Sequence, residues 1–312
     1  MVSLKYSRFS FALVFLLSLT CVTNGYIPNI SPERTKQFPK AWTIMLYMDG
    51  DNDLEQFAIQ DLKELELIPN NEAVNFIVQL DRSPGYDSSN GDWTNIRRFE
   101  VSYNPNVTTI GSNYINLSEK NMGDDQTLAD FIDYCQSNYP AENYALILWD
   151  HGMGVKDDER QGGVCYDYSS NRDYLTFPEI ESVLKTRHMN FLAFDTCSTG
   201  MIEVVHQLAG LVDIIVFSEE TMPDDGAEYN SAFTGINNIT TAVNLATQYV
   251  SVYGARYIPS DFPTLSAIDV NLTSNLTDVV DSLARALFAV SSSKHTEINE
   301  ARINSQVFDF NQ

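Results

Sequence analysis

The chain has 312 residues, 44% of them hydrophobic and 12% aromatic, enough to bury a large core in one α/β domain and too much for a disordered polymer. Its 42 acidic residues outnumber 19 basic ones, for a formal net charge of −23. That balance argues against nucleic acid or an anionic membrane as a partner and favours cationic ligands.

Lys5 and Arg8 precede an apolar run over 9–22, which Thr23-Asn24-Gly25 closes with small residues. The run is short for a membrane span and has the layout of a secretory signal over 1–25, so the expected protein is secreted and makes no stable membrane insertion. Sequons at Asn106, Asn116, Asn238, Asn271 and Asn275 agree with that route. An irregular lead or prosegment over 26–40 follows, and 41–312 reads as one domain whose end, at 306–312, lacks a terminating signal and reads as incomplete.

In the domain, 42–48 reads as the first strand, 54–67 as a helix, 74–80 as a second strand and 95–101 as a third. A helix over 125–139 leads to an apolar strand, 144–149, that ends at Asp150-His151-Gly152. The Gly-, Asp- and Ser-rich stretch 153–174 reads as a long loop or flap. A helix over 177–186 precedes NFLAFDTCSTGMIEVVHQL at 190–208, a buried strand that stops in small polar residues and then becomes a helix. A strand at 211–217, helices at 240–253 and 276–291 and a strand at 264–270 complete the pattern. Strands alternating with helices, several of them apolar throughout, predict an open, mainly parallel sheet covered by helices on both faces.

Two strands deliver reactive side chains to what would be one sheet edge: His151 after 144–149, and Cys197 after Phe194-Asp195. An imidazole beside a thiol supplies the proton acceptor and later donor that a cysteine nucleophile needs. Helix amides just beyond Cys197 would favour its thiolate, and the amides of Gly152 and Cys197 could hold an oxyanion. The competing reading of Cys197 is a buried core cysteine, since Cys135, Cys165 and Cys197 leave an odd thiol once Cys21 departs with the signal. His188, His206 and His295 read as solvated surface residues; no two have metal-ligand spacing and no C-x-x-C exists, so no metal site is assigned. The run Asp49-Gly50-Asp51-Asn52-Asp53 fails the EF-hand pattern, with Leu54 and Gln60 at the turn-glycine and bidentate-glutamate positions. It reads better as a loop capping the next helix, with calcium of another geometry left open and no cofactor required.

WTIMLYMDGDNDLE at 42–55, LILWDHG at 146–152, FDTCSTGMIE at 194–203 and SEETMPDDGAEY at 218–229 occur in this order, and together they resemble the clostripain family of cysteine peptidases. The resemblance implies a caspase-like fold and a His151/Cys197 dyad that cleaves peptide bonds through a thioester. It also implies a substrate pocket whose acid is Asp195, two residues before the nucleophile, with Asp224 or Asp225 as a second. Such a pocket takes peptides and proteins with Arg or Lys at P1. Activation by cleavage after the catalytic histidine would use Lys156 or Arg160, and some members of the family depend on calcium. Cys135 and Cys165 would then pair and leave Cys197 free. Ser198-Thr199 stand where the family usually has Leu-Met, and Ala227 where it has an aromatic; these departures motivate the alternative of a catalytically silent homologue that binds basic peptides.

Overall fold

Strand β1 (Lys40–Gly50) is buried along nearly its whole length, and its side chains alternate between two layers of core. Ile44, Leu46 and Met48 enter one hydrophobic cluster, Met45 and Tyr47 the other. The computed structural model describes residues 39–155, 162–258 and 264–305. The expected signal segment, most of the lead, Lys156, Arg160 and the chain end at 306–312 lie outside them.

After β1 come α1 (Glu55–Glu66), β2 (Val74–Arg82), β3 (Arg97–Glu100), β4 (Asn113–Asn116), α2 (Asp125–Asn138) and β5 (Ala141–Trp149). Then follow β6 (Gly152–Met153), β7 (Gly163–Asp167), β8 (Asp173–Thr176), α3 (Phe177–Leu184), β9 (Met189–Asp195), α4 (Ile202–Gln207) and β10 (Val212–Phe217). The last elements are α5 (Tyr229–Ala232), α6 (Ala242–Arg256), β11 (Ser266–Asp269), α7 (Ser274–Val290) and α8 (His295–Ile303). The main sheet has eight strands in the order β11-β10-β9-β5-β1-β2-β3-β4. Its five central strands, β10, β9, β5, β1 and β2, are parallel, and antiparallel strands occupy both edges. Helices α1, α5 and α6 cover one face and α2, α3 and α4 the other, which is the sandwich the alternation predicts.

Local chemistry sets the helix starts. Thr176 and Glu179 form a reciprocal capping box at α3, with Pro178 in the first turn, and Thr241 with Asn244 does the same at α6. Asp124 accepts the Gln126 N–H at the start of α2. Helix α7 forms as its periodicity predicts but buries none of its residues; Val279 and Phe288 on it are 63% and 82% exposed.

The structure corrects two expectations here. The stretch 153–174 is no simple loop: β6, β7 and β8 make a second, antiparallel sheet, with Val164 and Cys165 in the core of the α2 side. Its single short apolar patch, flanked by Gly, Asp and Ser, is too brief to stand out as a strand in sequence. Cys135 and Cys165 are not disulfide-bonded; both are free, buried thiols packed in the same cluster. Burial pushes both thiols far above their ordinary range.

Candidate active site

The parallel pairing of β5 with β9 places Trp149 opposite Asp195, and the Asp150 N–H donates to the Asp195 carbonyl at 3.3 Å. His151 and Cys197 therefore leave adjacent strands at matched positions, each two residues past that pair. The contact continues at Gly152, where an added Cβ would lie 2.5 Å from the Cys197 carbonyl oxygen and 2.6 Å from Thr196 Cβ. Only glycine allows the two strand ends to approach this closely.

His151 is half-exposed and held from two sides. Its Nε2 lies 2.9 Å from Asp53 Oδ1, in the turn after β1. Its ring lies nearly parallel to that of Tyr168, with 6.5 Å between centroids. Burial presses the Asp53 carboxyl upward, but the His151 hydrogen bond and charge hold it below its ordinary range.

Cys197 sits in the turn after β9, between buried Thr196 and buried Ser198. Ser198 adopts φ +57°, and its N–H is anchored on the Glu220 carbonyl at 3.0 Å. The Met222 N–H donates to Cys197 Sγ at 3.2 Å. Burial nevertheless pushes the thiol above its ordinary range; the Met222 N–H opposes this, and Asp224, Asp195 and Asp150 reinforce it. The helix-amide expectation fails for a geometric reason. Helix α4 starts only at Ile202, with Ser198 to Met201 between it and Cys197, and the backbone amide that reaches the sulfur is that of Met222.

Asp195 is buried at the end of β9. Its Oδ2 accepts the Tyr229 hydroxyl at 2.6 Å, the Tyr249 hydroxyl at 3.3 Å and the Ala227 N–H at 3.4 Å. Burial pushes the carboxyl up, and these donors hold it down. Gly226 stands over it at φ +52°, where a Cβ would come within 3.1 Å of Oδ1. Asp195 caps no helix: α4 has no side-chain cap. Asp225 is exposed and lies 3.8 Å from Arg256 Nη2, whereas Asp224 acts electrostatically on the Cys197 thiol.

The acidic run after β1 does not cap α1 with its carboxylates either. The Leu54 N–H is taken by Asn52 Oδ1 at 2.9 Å, while Asn52 Nδ2 donates to Asp150 at 2.6 Å. Asp49 and Asp51 turn inward and are buried, and Asp51, Asp81, Glu119 and Asp167 gather into one carboxylate cluster. Sequence reasoning missed Asp53, Tyr168, Met222, Tyr229 and Tyr249 as site residues. None has a spacing to His151, Cys197 or Asp195 that announces it; the sheet order alone brings them in.

The sequence profile described as the clostripain family matches residues 46–311. Clostripain of Hathewaya histolytica is 31% identical over 235 residues, 67% of this chain and 45% of that protein, so the chain spans about half the length of the curated relative it matches. A secreted C11 cysteine protease from Bacteroides thetaiotaomicron, solved with an irreversible peptide inhibitor, superposes with a TM-score of 0.57 at 24% identity, over 74% of this chain and 67% of that one. A second secreted C11 cysteine protease from the same organism, iotapain, gives 0.61 at 16% identity over 80% and 72%. An inactive zymogen C11 protease from Parabacteroides distasonis gives 0.55 at 22% identity over 75% and 63%. At these identities the solved structures speak for the caspase-like fold alone.

Proposed function

Because the chain belongs to the clostripain family of cysteine peptidases, we propose that it is a secreted endopeptidase that cleaves after Arg or Lys with Cys197 as nucleophile and His151 as base and acid. The observation that carries this reading is the strand-end contact, in which Gly152, adjacent to His151, lies against the Cys197 backbone.

In this reading Cys197 Sγ attacks the scissile carbonyl as its proton passes to the His151 imidazole. The carbonyl oxygen becomes an oxyanion, taken by the amides of Gly152 and Cys197. The imidazolium returns the proton to the leaving amine, the C–N bond breaks and a thioester remains. Water, deprotonated by the same imidazole, then releases the acid and restores the thiol. Burial and nearby carboxylates push the thiol up, which suits removal of its proton by the base during the attack. Asp53 fixes the imidazole through Nε2, and the Met222 N–H steadies Sγ.

Asp195 would meet the P1 guanidinium or ammonium through Oδ1, since three donors already converge on Oδ2. The glycine at 226 keeps that approach open. Of the two candidates for the second acid, Asp224 fits better, because Asp225 is engaged by Arg256. Among the described residues no helix is long and apolar enough to cross a membrane.

The test is turnover of fluorogenic peptides with Arg, Lys, Asp or Asn at P1, with Cys197→Ala as the blank. Turnover of Arg and Lys substrates that vanishes in the variant is the expected result. Turnover confined to Asp or Asn substrates would overturn the pocket assignment. No turnover, with Cys197 inert to a thiol-reactive peptide, would overturn the peptidase reading in favour of a binding protein.

A further inference from the structure

Asp53 reaches His151 from the turn after β1, and a second side chain makes the same reach from the smaller sheet. Tyr168 follows β7, and its N–H is tied to the Asp51 carbonyl at 3.0 Å. Its hydroxyl donates to the Asp53 carboxylate, the group that His151 Nε2 also meets at 2.9 Å. Its ring lies at 11° to the imidazole with centroids 6.5 Å apart, an offset-parallel arrangement within the range of aromatic pairs. One carboxylate thus joins two rings that also face each other. Burial first, then the Asp53 charge, pushes the phenol above its ordinary range, so the hydroxyl keeps its proton and acts on Asp53 as a donor.

Tyr168 is held in turn by Arg172, at the end of the same turn, whose guanidinium carbon lies 4.4 Å from the centre of the tyrosine ring. The backbone that brings it there is unusual. Asn171 and Arg172 adopt φ +62° and +59°, a left-handed region that asparagine tolerates and arginine rarely enters. The chain folds back through these two residues and returns Arg172 onto Tyr168 before β8 starts at Asp173. Tyr168 belongs to neither hydrophobic cluster and Arg172 is exposed, so core packing does not account for the placement.

We propose that Tyr168 is a positioning residue of the peptidase reaction, with Arg172 as its clamp, and that the pair fixes the orientation and tautomer of His151 through Asp53. An ionised Asp53 accepts from Nε2, so the ring proton sits on Nε2 and Nδ1 is left to take the proton of Cys197. Asp53 is itself exposed, and a carboxylate held only by the imidazole would turn freely about its own bonds. The Tyr168 hydroxyl removes that freedom by occupying a second lone pair, and the tyrosine ring limits the tilt of the imidazole.

The proposal rests on the peptidase reading, so the experiment reads His151 both with and without turnover. Tyr168→Phe keeps the ring and loses the hydroxyl, Tyr168→Leu loses both, and Arg172→Met loses the cation. For P1-Arg peptides, kcat is expected to fall about tenfold, about a hundredfold and about threefold in turn, with KM within about twofold of wild type because none of these groups touches substrate. Asp53→Asn combined with Tyr168→Phe is expected to cost no more than Asp53→Asn alone, since the hydroxyl acts through that carboxylate. A KM rise that matches the kcat loss, additive losses in the double variant, or full kcat in Tyr168→Leu overturns the proposal. A fall in Tm that tracks the kcat loss makes Tyr168 a structural residue and overturns it as well. Long-range proton–nitrogen NMR of protein carrying Cys197→Ala needs no turnover, and the His151 signals are those that vanish in His151→Gln. The expected spectrum shows His151 protonated on Nε2 alone when neutral, and a mixture of tautomers once Tyr168→Leu is added. The same single tautomer in both, or a mixture already present with Tyr168 in place, overturns the proposal. A wild-type protein without turnover sinks the peptidase reading alone, and the spectrum still decides whether Tyr168 places His151.

Discussion

Gly152→Ala tests the strand-end contact on which the active-site reading stands. The new Cβ would lie 2.5 Å from the Cys197 carbonyl oxygen, 2.6 Å from Thr196 Cβ and 2.8 Å from Thr196 Oγ1. Carbon contacts are comfortable near 3.5–4.0 Å, so the two strand ends must separate by about 1 Å. The Cys197 turn cannot simply swing away, because the Ser198 N–H is tied to Glu220 at 3.0 Å and the Gly200 N–H to Ser218 at 2.7 Å. Overpacking of this kind costs about 1–3 kcal/mol, or roughly 2–4 °C in Tm for each kcal/mol. A shift of about 1 Å between base and nucleophile lowers kcat/KM by about a hundredfold. Gly254→Ala is the control: it lies within α6, the new methyl would meet nothing within 4 Å, and alanine there stabilises by about 0.5–1 kcal/mol with turnover unchanged. Fluorogenic P1-Arg turnover and thermal melting measure both variants. Wild-type kcat/KM and Tm in Gly152→Ala would refute the contact; a lowered Tm with unchanged kcat would refute its role in placing the dyad.

Three further outcomes follow from named contacts. Asp53→Asn is expected to lower kcat by about tenfold or more with little change in KM, because a group that acts only through the imidazole does not touch substrate. Since His151 depresses the Asp53 pKa below its ordinary 3.8, the stability this carboxylate contributes is present above that value and is lost as pH falls below it. The difference between wild type and Asp53→Asn in pH-dependent melts should therefore shrink toward zero on the acid side. Tyr229→Phe removes the 2.6 Å hydrogen bond to buried Asp195 and is expected to cost about 1–3 kcal/mol in urea unfolding and to raise KM for P1-Arg peptides, as the carboxyl is driven further toward its neutral form. Arg82→Met strands Glu55, whose partner at 2.5 Å is fully buried with it, and is expected to destabilise by about 3–5 kcal/mol in the same unfolding assay while the P1 preference stays as it was.

The elements that sequence patterning located are those whose signal is local. The strand before His151 and the strand before Cys197 are continuous apolar runs, and both are buried strands of the sheet. Helices α2 and α3 start where Asp124 and Thr176 cap them. The β6–β8 sheet was hidden because its strands are short and its turn residues abundant, and it packs by laying Val164, Cys165 and Leu175 on the main core. The acidic run at 49–53 has one appearance in sequence and three fates in the fold: Asp49 and Asp51 go inward, Asn52 ties Leu54 to Asp150, and Asp53 reaches His151. No spacing rule separates these, because the partners come from the turns after β5 and β7, about a hundred residues away.

By itself the order of apolar runs, caps and small polar strand ends determined a parallel α/β sandwich and put His151, Gly152 and Cys197 at strand ends, since strand burial and period are written into consecutive side chains, while Asp195 was singled out by the family resemblance. Only the tertiary structure decided which strands are neighbours, and with that the thiol's environment. Burial beside Asp224, Asp195 and Asp150 raises Cys197 where a local helix end had suggested the opposite, because the desolvation and field at a buried atom are set by everything packed around it and not by the residues next to it in the chain.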